Sequence, residues 1–185
     1  QQKTTIPIWG WADAGAIVTV TSSWNDKSYS AKAGRDGTWR IMLHTPEAGG
    51  PYVLTITGGN ALIFSGIYVG EVWLASGQSN MAMQLKECYE STKAILTSQK
   101  SNIRFINVPP LGSYKPLTDI KADWVVAAPE NVGDCSAVAW YFAHFIQENL
   151  GVPVGIINAS FGGSVVETWM SRETCQTLGD ISVPE

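Results

Sequence analysis

From residue 1 to about residue 69, apolar and polar positions alternate with the two-residue period of β-strands. The predicted strands cover residues 6–9, 17–22, 29–33, 38–43 and 52–57. Turn-forming runs separate them, among them Arg-Asp-Gly ending at Gly37 and Gly-Gly-Asn ending at Asn60. This part of the chain is predicted to form a small β-sandwich.

From Gly70 onward, apolar strands alternate with longer helical patterns, as in a parallel sheet flanked by helices. Strands are predicted at residues 71–75, 103–108 and 154–158, and a short one at 124–127 within an irregular loop over 109–129. A helix is predicted over 136–150, with its cap near Asp134 or Cys135, and Gly151 and Pro153 end it. The expected fold class is α/β: the first part of a doubly wound parallel sheet over 70–185, preceded by the sandwich over 1–69.

Composition narrows the classes of protein to consider. The 185 residues are 45% apolar and 15% charged, which is typical of a globular chain. Twelve basic residues are scattered among 16 acidic ones, so nucleic-acid binding is not expected. No apolar run is long enough for a membrane span, and no signal peptide opens the chain. Cys88, Cys135 and Cys175 lack metal-type spacing; a single disulfide among them stays open.

The chemistry is concentrated where a predicted strand runs directly into Gly-Gln-Ser-Asn-Met, from Gly77 to Met81. Such a turn presents the Ser79 hydroxyl at the carboxyl end of a parallel sheet, where ligands bind in open α/β folds. The backbone N–H groups of Ser79 and Asn80 would begin a helix and could donate to a developing oxyanion. The Gly-x-Ser-x-Gly elbow of α/β-hydrolases does not fit, because Met81 stands at its second glycine.

The run from Gly77 to Met81 resembles the first sequence block of the SGNH (GDSL-like) hydrolases, in the branch that contains sialate O-acetylesterases and related acetylxylan esterases. A second match follows about seventy residues later, where residues 152–169 read as a strand and then Gly-Gly-Ser-Val-Val-Glu-Thr-Trp. The N-terminal runs at residues 8–12 and 36–39 are similar to the sandwich that precedes the catalytic domain in this family. The resemblance therefore covers nearly the whole chain.

The resemblance implies that Ser79 attacks an ester carbonyl, assisted by a histidine and an aspartate from an Asp-x-x-His block. Neither His44 nor His144 has an aspartate three residues before it, so this block is missing. An unassisted serine is a weak nucleophile, and the chain alone is expected to be nearly inactive. We expect the chain to be one piece of a longer protein, with the remainder or a companion chain supplying Asp-x-x-His.

The other site residues each have a plainer alternative. Ser79 could be a helix-capping serine, and Gly162 and Gly163 could only form a tight turn; the resemblance favours a nucleophile and an oxyanion-hole amide. Asn80 and Asn158 are both candidates for a further oxyanion donor. The remaining assignments are substrate-binding roles for Gln78, Asn80 and Glu167, support from Trp169, and a structural role for His144. Gln78 could instead only hold the turn, and Glu167 and Trp169 could be a surface carboxylate and a core aromatic.

The leading hypothesis is a cofactor-free, metal-free serine esterase that removes O-acetyl groups from carbohydrates through an acetyl-enzyme on Ser79. The resemblance suggests 9-O-acetyl groups of sialic acid, or an acetylated plant glycan such as xylan. Glycan-degrading esterases are usually exported, which favours a periplasmic or extracellular location. The alternative is a carbohydrate-binding module, in which the sandwich binds glycan and the α/β part is a degenerate hydrolase domain; the missing Asp-x-x-His block favours it if the natural protein ends at Glu185. The eight tryptophans could stack on sugar rings, but most are expected to fill the core.

Overall fold

The computed structural model describes residues 1–113 and 115–178, which form two compact units. The N-terminal unit comprises Gln1–Val72 and Gly151–Pro153, and the C-terminal unit comprises Trp73–Leu150 and the described residues from 154 onward. The strands are β1 (Thr5–Trp11), β2 (Ile17–Ser22), β3 (Ser28–Lys32), β4 (Thr38–His44), β5 (Gly49–Thr57), β6 (Ala61–Val69), β7 (Glu71–Gly77), β8 (Ile103–Asn107), β9 (Val125–Val126) and β10 (Val154–Ser160). The α-helices are α1 (Ser79–Ala82), α2 (Ser91–Thr97), α3 (Ala137–Leu150) and α4 (Arg172–Thr177).

Two antiparallel sheets share one apolar core in the N-terminal unit. One sheet pairs β1 with β4, and the other has the order β3-β2-β5-β6. Alternate residues of β4, including Trp39, Ile41 and Leu43, are buried with Val18 and Val20 of β2. The two-residue alternation in the sequence therefore turns one face of each strand inward.

The C-terminal unit is built on a sheet with the order β7-β10-β8-β9. Strands β10 and β8 are parallel, with Val154 opposite Ile103 and Asn158 opposite Asn107. Strand β7 runs the same way beside β10, since the chain pairs at both ends through Glu71 N to Pro153 O and Phe161 N to Gly77 O, each 2.9 Å. The short β9 is antiparallel to β8, so the sheet is mixed.

Helix α3 packs its small and aromatic residues onto this sheet. Ala139, Trp140 and Ala143 are buried against Phe105 of β8 and Ile156 of β10. The helix begins at Ala137, and the Ser136 hydroxyl accepts a hydrogen bond from Ala139 N at 3.3 Å, as an N-cap does. The cap predicted near Asp134 or Cys135 thus lies at the next residue, Ser136, whose hydroxyl does the capping.

The coarse prediction of an α/β chain is confirmed: the protein has several sheets and few helices. Strand β6 was not predicted, since the sequence from Ala61 to Ser65 is a continuous run with little alternation. All five of these residues are exposed, so neither face of the strand is marked by burial. The predicted domain boundary between residues 69 and 70 stays a prediction.

Two further expectations concern membranes and disulfides. Within the described residues, no helix combines the length and the apolar character needed to cross a bilayer. Cys88, Cys135 and Cys175 are all free thiols in the structure.

Replacing Trp140 with alanine tests the packing of α3. The Trp140 side chain is 1% exposed, so Trp140→Ala should lower the free energy of unfolding by about 3–5 kcal/mol. In the 185-residue chain, Tyr141→Ala is the matched control, since the neighbouring Tyr141 is 48% exposed there and its loss should change stability by no more than about 0.5 kcal/mol. Urea unfolding followed by circular dichroism measures both; equal losses would contradict the packing described.

Candidate functional site

The turn after β7 determines where Ser79 lies. Strand β7 ends at Gly77, whose φ of 141° is a conformation that residues with a Cβ rarely adopt. Gln78 follows as the residue before the helix, and Ser79 is the first residue of α1. The chain therefore passes from strand to helix within two residues, and Ser79 is exposed at the carboxyl end of β7.

Helix α1 is short and is held in place by its own backbone hydrogen bonds and by Ser136. The Ala82 and Met83 amides donate to the Gln78 and Ser79 carbonyls, each at 2.9 Å. The buried Ser136 hydroxyl lies 3.4 Å from the Met81 sulfur and ties α1 to the start of α3. Because they lie in the first turn, the N–H groups of Ser79 and Asn80 have no acceptor within the helix. These two N–H groups are the ones that the sequence predicts to be donors to a developing oxyanion.

The Ser79 hydroxyl is accessible and bound to its neighbour. It donates a hydrogen bond to Gln78 Oε1 at 3.1 Å. The side chains of Gln78 and Asn80 are exposed beside it, and that of Asn80 forms no hydrogen bond with the described residues. The hydroxyl is therefore accessible from solvent, and its one hydrogen bond in the described part of the chain is to an exposed side chain.

A glycine turn after β10 lies directly against Ser79. A Cβ at Gly162 would stand 3.8 Å from Ser79 Cα and 4.0 Å from its Cβ. The turn is held there because Phe161 N donates to Gly77 O at 2.9 Å. Gly163 follows with a φ of 79°, the left-handed region that favours glycine. The structure thus brings together Ser79 and the glycine pair, which are about eighty residues apart in the sequence.

Two side chains fix the far side of this turn. The Ser164 hydroxyl donates to Phe161 O at 2.8 Å and accepts from the Trp169 indole N–H at 3.0 Å. Trp169 therefore supports the glycine turn through Ser164. Glu167 is half-buried in the short helical turn Val166–Trp169; its carbonyl accepts from Met170 N, and its carboxylate has no partner among the described residues.

A row of polar groups at the ends of β8 and β10 was not predicted as a unit. Asn158 Nδ2 donates to Asn107 Oδ1 at 3.0 Å, and the Ser160 hydroxyl donates to Asn158 Oδ1 at 2.7 Å. Asn107 Nδ2 donates in turn to the Asp134 carbonyl at 3.2 Å. The sequence carries a signal for this pair, because both strands contain Ile-Asn, and the two Ile-Asn pairs lie opposite each other in the register. One amide N–H of Asn158 is thereby occupied, whereas the Asn80 side chain is unoccupied.

No general base accompanies Ser79 in the described part of the chain. His144 lies on α3, where its Nδ1 is 3.3 Å from Glu148 and its ring centroid 5.8 Å from that of Trp140. His44 ends β4 in the N-terminal unit, where its carbonyl accepts from the Trp24 indole at 3.2 Å. Neither imidazole is a hydrogen-bond partner of Ser79. These contacts agree with a structural role for His144.

A cysteine nucleophile and a metal ion are the other common means of ester hydrolysis. Burial raises the pKa of the Cys135 thiol to about 12, so this residue stays protonated and unreactive near neutral pH. Within residues 1–113 and 115–178, no group of three acidic, histidine or cysteine side chains converges as a metal site would require. Ser79 remains the candidate nucleophile, and the individual site assignments stay predictions.

Comparisons with known proteins find relatives that are named as carbohydrate esterases. It is 32% identical to human sialate O-acetylesterase and 30% identical to the mouse protein, in each case over 93% of this chain. A crystal structure of a carbohydrate acetylesterase from Xanthomonas citri superposes over 97% of the chain with a TM-score of 0.89 and 35% identity. The chain spans only 36% of the human protein, 35% of the mouse protein and 41% of the Xanthomonas chain. No protein-family model matches it.

The two glycines of the turn should respond differently to a methyl group. Gly163→Ala places a Cβ at a φ of 79° and should lower the free energy of unfolding by about 1–2 kcal/mol. Gly162→Ala is the control, because its Cβ would meet Ser79 only at ordinary contact distances of 3.8 and 4.0 Å. Thermal unfolding midpoints compare the two, and an equal or larger effect at Gly162 would contradict the turn geometry.

Proposed function

Because the chain belongs to the family of the sialate O-acetylesterases over the third of their length that it spans, we propose that it carries the nucleophilic part of an esterase that removes O-acetyl groups from carbohydrates. The observation that carries the proposal is the exposed Ser79 at the end of β7, with the Gly162 turn packed against it. If Ser79 only capped a helix, the turn after a second strand, β10, would not need to lie against it. The same juxtaposition is what an attacking hydroxyl and an oxyanion site need.

The proposed reaction proceeds through an acetyl-enzyme. The Ser79 oxygen attacks the acetyl carbonyl while an imidazole accepts its proton. Amides of Ser79, Asn80 and Gly163 donate to the carbonyl oxygen as it becomes negative. The bond to the sugar oxygen then breaks, and the imidazolium returns the proton to that oxygen. A water molecule repeats the sequence, releasing acetate and restoring Ser79.

We propose that the imidazole comes from polypeptide outside this chain, in an Asp-x-x-His block of the remainder of the protein or of a companion chain. The surface of α3 supports this. Val138, Tyr141, Phe142 and Phe145 are all exposed, although their spacing forms a second apolar stripe on a helix whose other face is already buried. A helix that is apolar all round is normally buried all round.

The neighbouring sheet surface continues this apolar stripe. Trp73 packs edge-to-face on Phe142 with ring centroids 5.1 Å apart, and the next residue, Leu74, is exposed. Beside them is a cavity of about 230 Å³ lined only by apolar residues, among them Met81 of α1. Exposed apolar area of this kind marks an interaction surface. A segment packed here would lie close to α1, the helix that Ser79 begins.

The finer fold assignment is also proposed here. The parallel pairing of β8, β10 and β7, with the site at their carboxyl ends, supports an SGNH-type doubly wound sheet. The two sheets around one core in residues 1–69 support the β-sandwich. The substrate is proposed to be a 9-O-acetylated sialic acid or an acetylated plant glycan, and the location periplasmic or extracellular.

The nucleophile can be tested by removing one oxygen atom. In the protein complete with its Asp-x-x-His segment, Ser79→Ala should lower kcat/KM for 4-nitrophenyl acetate by at least about 10⁴-fold without changing the unfolding midpoint. Ser76→Ala is the control, since Ser76 is also exposed and lies on β7 three residues earlier. Unchanged hydrolysis by Ser79→Ala would remove Ser79 from the mechanism. No hydrolysis by the unaltered complete protein would favour the non-catalytic binding module.

The origin of the imidazole makes a separate prediction. The 185-residue chain alone should hydrolyse 4-nitrophenyl acetate at least about 10⁴-fold more slowly than the complete protein, because no histidine of the described residues bonds Ser79. His144→Gln should leave the activity of the complete protein unchanged. Full activity of the chain alone, or its loss in His144→Gln, would show that the base lies within these residues.

A further inference from the structure

The outer face of the two-stranded sheet in the N-terminal unit has a composition that packing does not explain. We call it the β1/β4 face. Its eight side chains, all exposed, are Thr5, Pro7, Trp9, Trp11, Thr38, Arg40, Met42 and His44. The inner face of the same strands supplies Ile8, Ile41 and Leu43 to the core. Any tryptophan needed for packing would be expected on the inner face, where Trp39 stands.

The indole rings of Trp9 and Trp11 stand at right angles to each other on the β1/β4 face. Trp9 and Trp11 are 48% and 56% exposed, with ring centroids 5.5 Å apart and ring planes at 88°. Neither indole N–H donates to another described residue. Each indole therefore offers an open apolar surface and a free donor, the combination that binding sites for small polar ligands use.

Arg40 gives the β1/β4 face a charge. It lies directly opposite Trp9 in the strand register, so the two Cβ atoms are about 5 Å apart. Its guanidinium forms no ion pair with the described residues. The nearest acidic side chain in the sequence, that of Asp36, is occupied by the Thr38 amide and hydroxyl at 3.1 and 2.8 Å. A guanidinium of this kind is suited to bidentate binding of a carboxylate.

We propose that the β1/β4 face binds a carboxylated sugar of a glycan chain. The apolar C–H face of a pyranose ring rests on one indole, its hydroxyls accept from the indole N–H groups, and Arg40 binds the carboxylate. A single cation among two indoles and two threonines matches an acidic sugar better than a lipid surface, which several clustered lysines or arginines would recognise. The choice of a sugar rests on the proposed function, whereas the site belongs to the N-terminal unit and does not include Ser79.

Isothermal titration calorimetry with sialyllactose and lactose tests this proposal, since the two ligands differ by one carboxylated sugar. The measurements use Ser79→Ala protein, so that turnover plays no part. The protein should prefer sialyllactose, and Trp9→Thr or Trp11→Thr should weaken its binding at least about tenfold. Arg40→Gln should reduce the affinity for sialyllactose to that for lactose. Threonine is used because it favours strands.

Trp124→Ala is the matched control. Trp124 is also 48% exposed but belongs to the C-terminal unit, and its loss should leave sialyllactose binding unchanged. Equal affinity for the two ligands, or binding unaffected by Trp9→Thr, Trp11→Thr and Arg40→Gln, would overturn the proposal. Should a tryptophan variant fail to fold, the Arg40→Gln result decides alone. Because binding is measured without hydrolysis, failure of the esterase proposal would leave this result intact.

Discussion

The candidate site depends on the position of β10 in the middle of the C-terminal sheet. This strand pairs with β8 on one side and β7 on the other, so the chain leaving it emerges beside the chain leaving β7. The bond from Phe161 N to Gly77 O joins the two strand ends at the point where both turn away from the sheet. If β10 paired elsewhere, Ser79 and Gly162 would each remain in an ordinary turn. The geometry of the candidate site is thus a consequence of strand order more than of any one residue.

The sequence predicts the parts of this arrangement better than their assembly. Alternation identifies β2 and β4 because one face of each is buried, and the helical spacing from Ala137 onward identifies α3. Strand β6 lacks such a signal, since its first five residues are exposed on both faces. Ser79 and the glycine pair could be proposed from motifs, but their contact depends on β10 lying between β7 and β8. The Asn107–Asn158 bond depends on the same register and was missed for the same reason.

One face of α3 is packed in the core, whereas its other face is uncovered and lies near the candidate nucleophile. Trp140 and Ala143 of α3 are buried in the core, whereas the apolar stripe on the opposite face of the same helix is exposed to solvent. Ser79 has a glycine turn beside it, and no imidazole of the described residues bonds it. One further segment would account both for the uncovered stripe of α3 and for the imidazole that Ser79 lacks. A segment that covered Phe142 and Leu74 would bury apolar surface and could at the same time bring a base toward α1, so stability and activity would be gained together.

The tryptophans show how one strand pair can serve packing and recognition at once. Side chains alternate across a strand. Because Trp39 and Ile41 face the core, Arg40 between them faces outward, and so does its cross-strand partner Trp9. Nothing in folding requires the outward partner to be an indole, and a threonine would serve a strand as well. An exposed indole beside an unpaired guanidinium therefore calls for an explanation outside the fold. Contact with an acidic sugar provides one, and it would let this unit hold a glycan independently of the hydroxyl at Ser79.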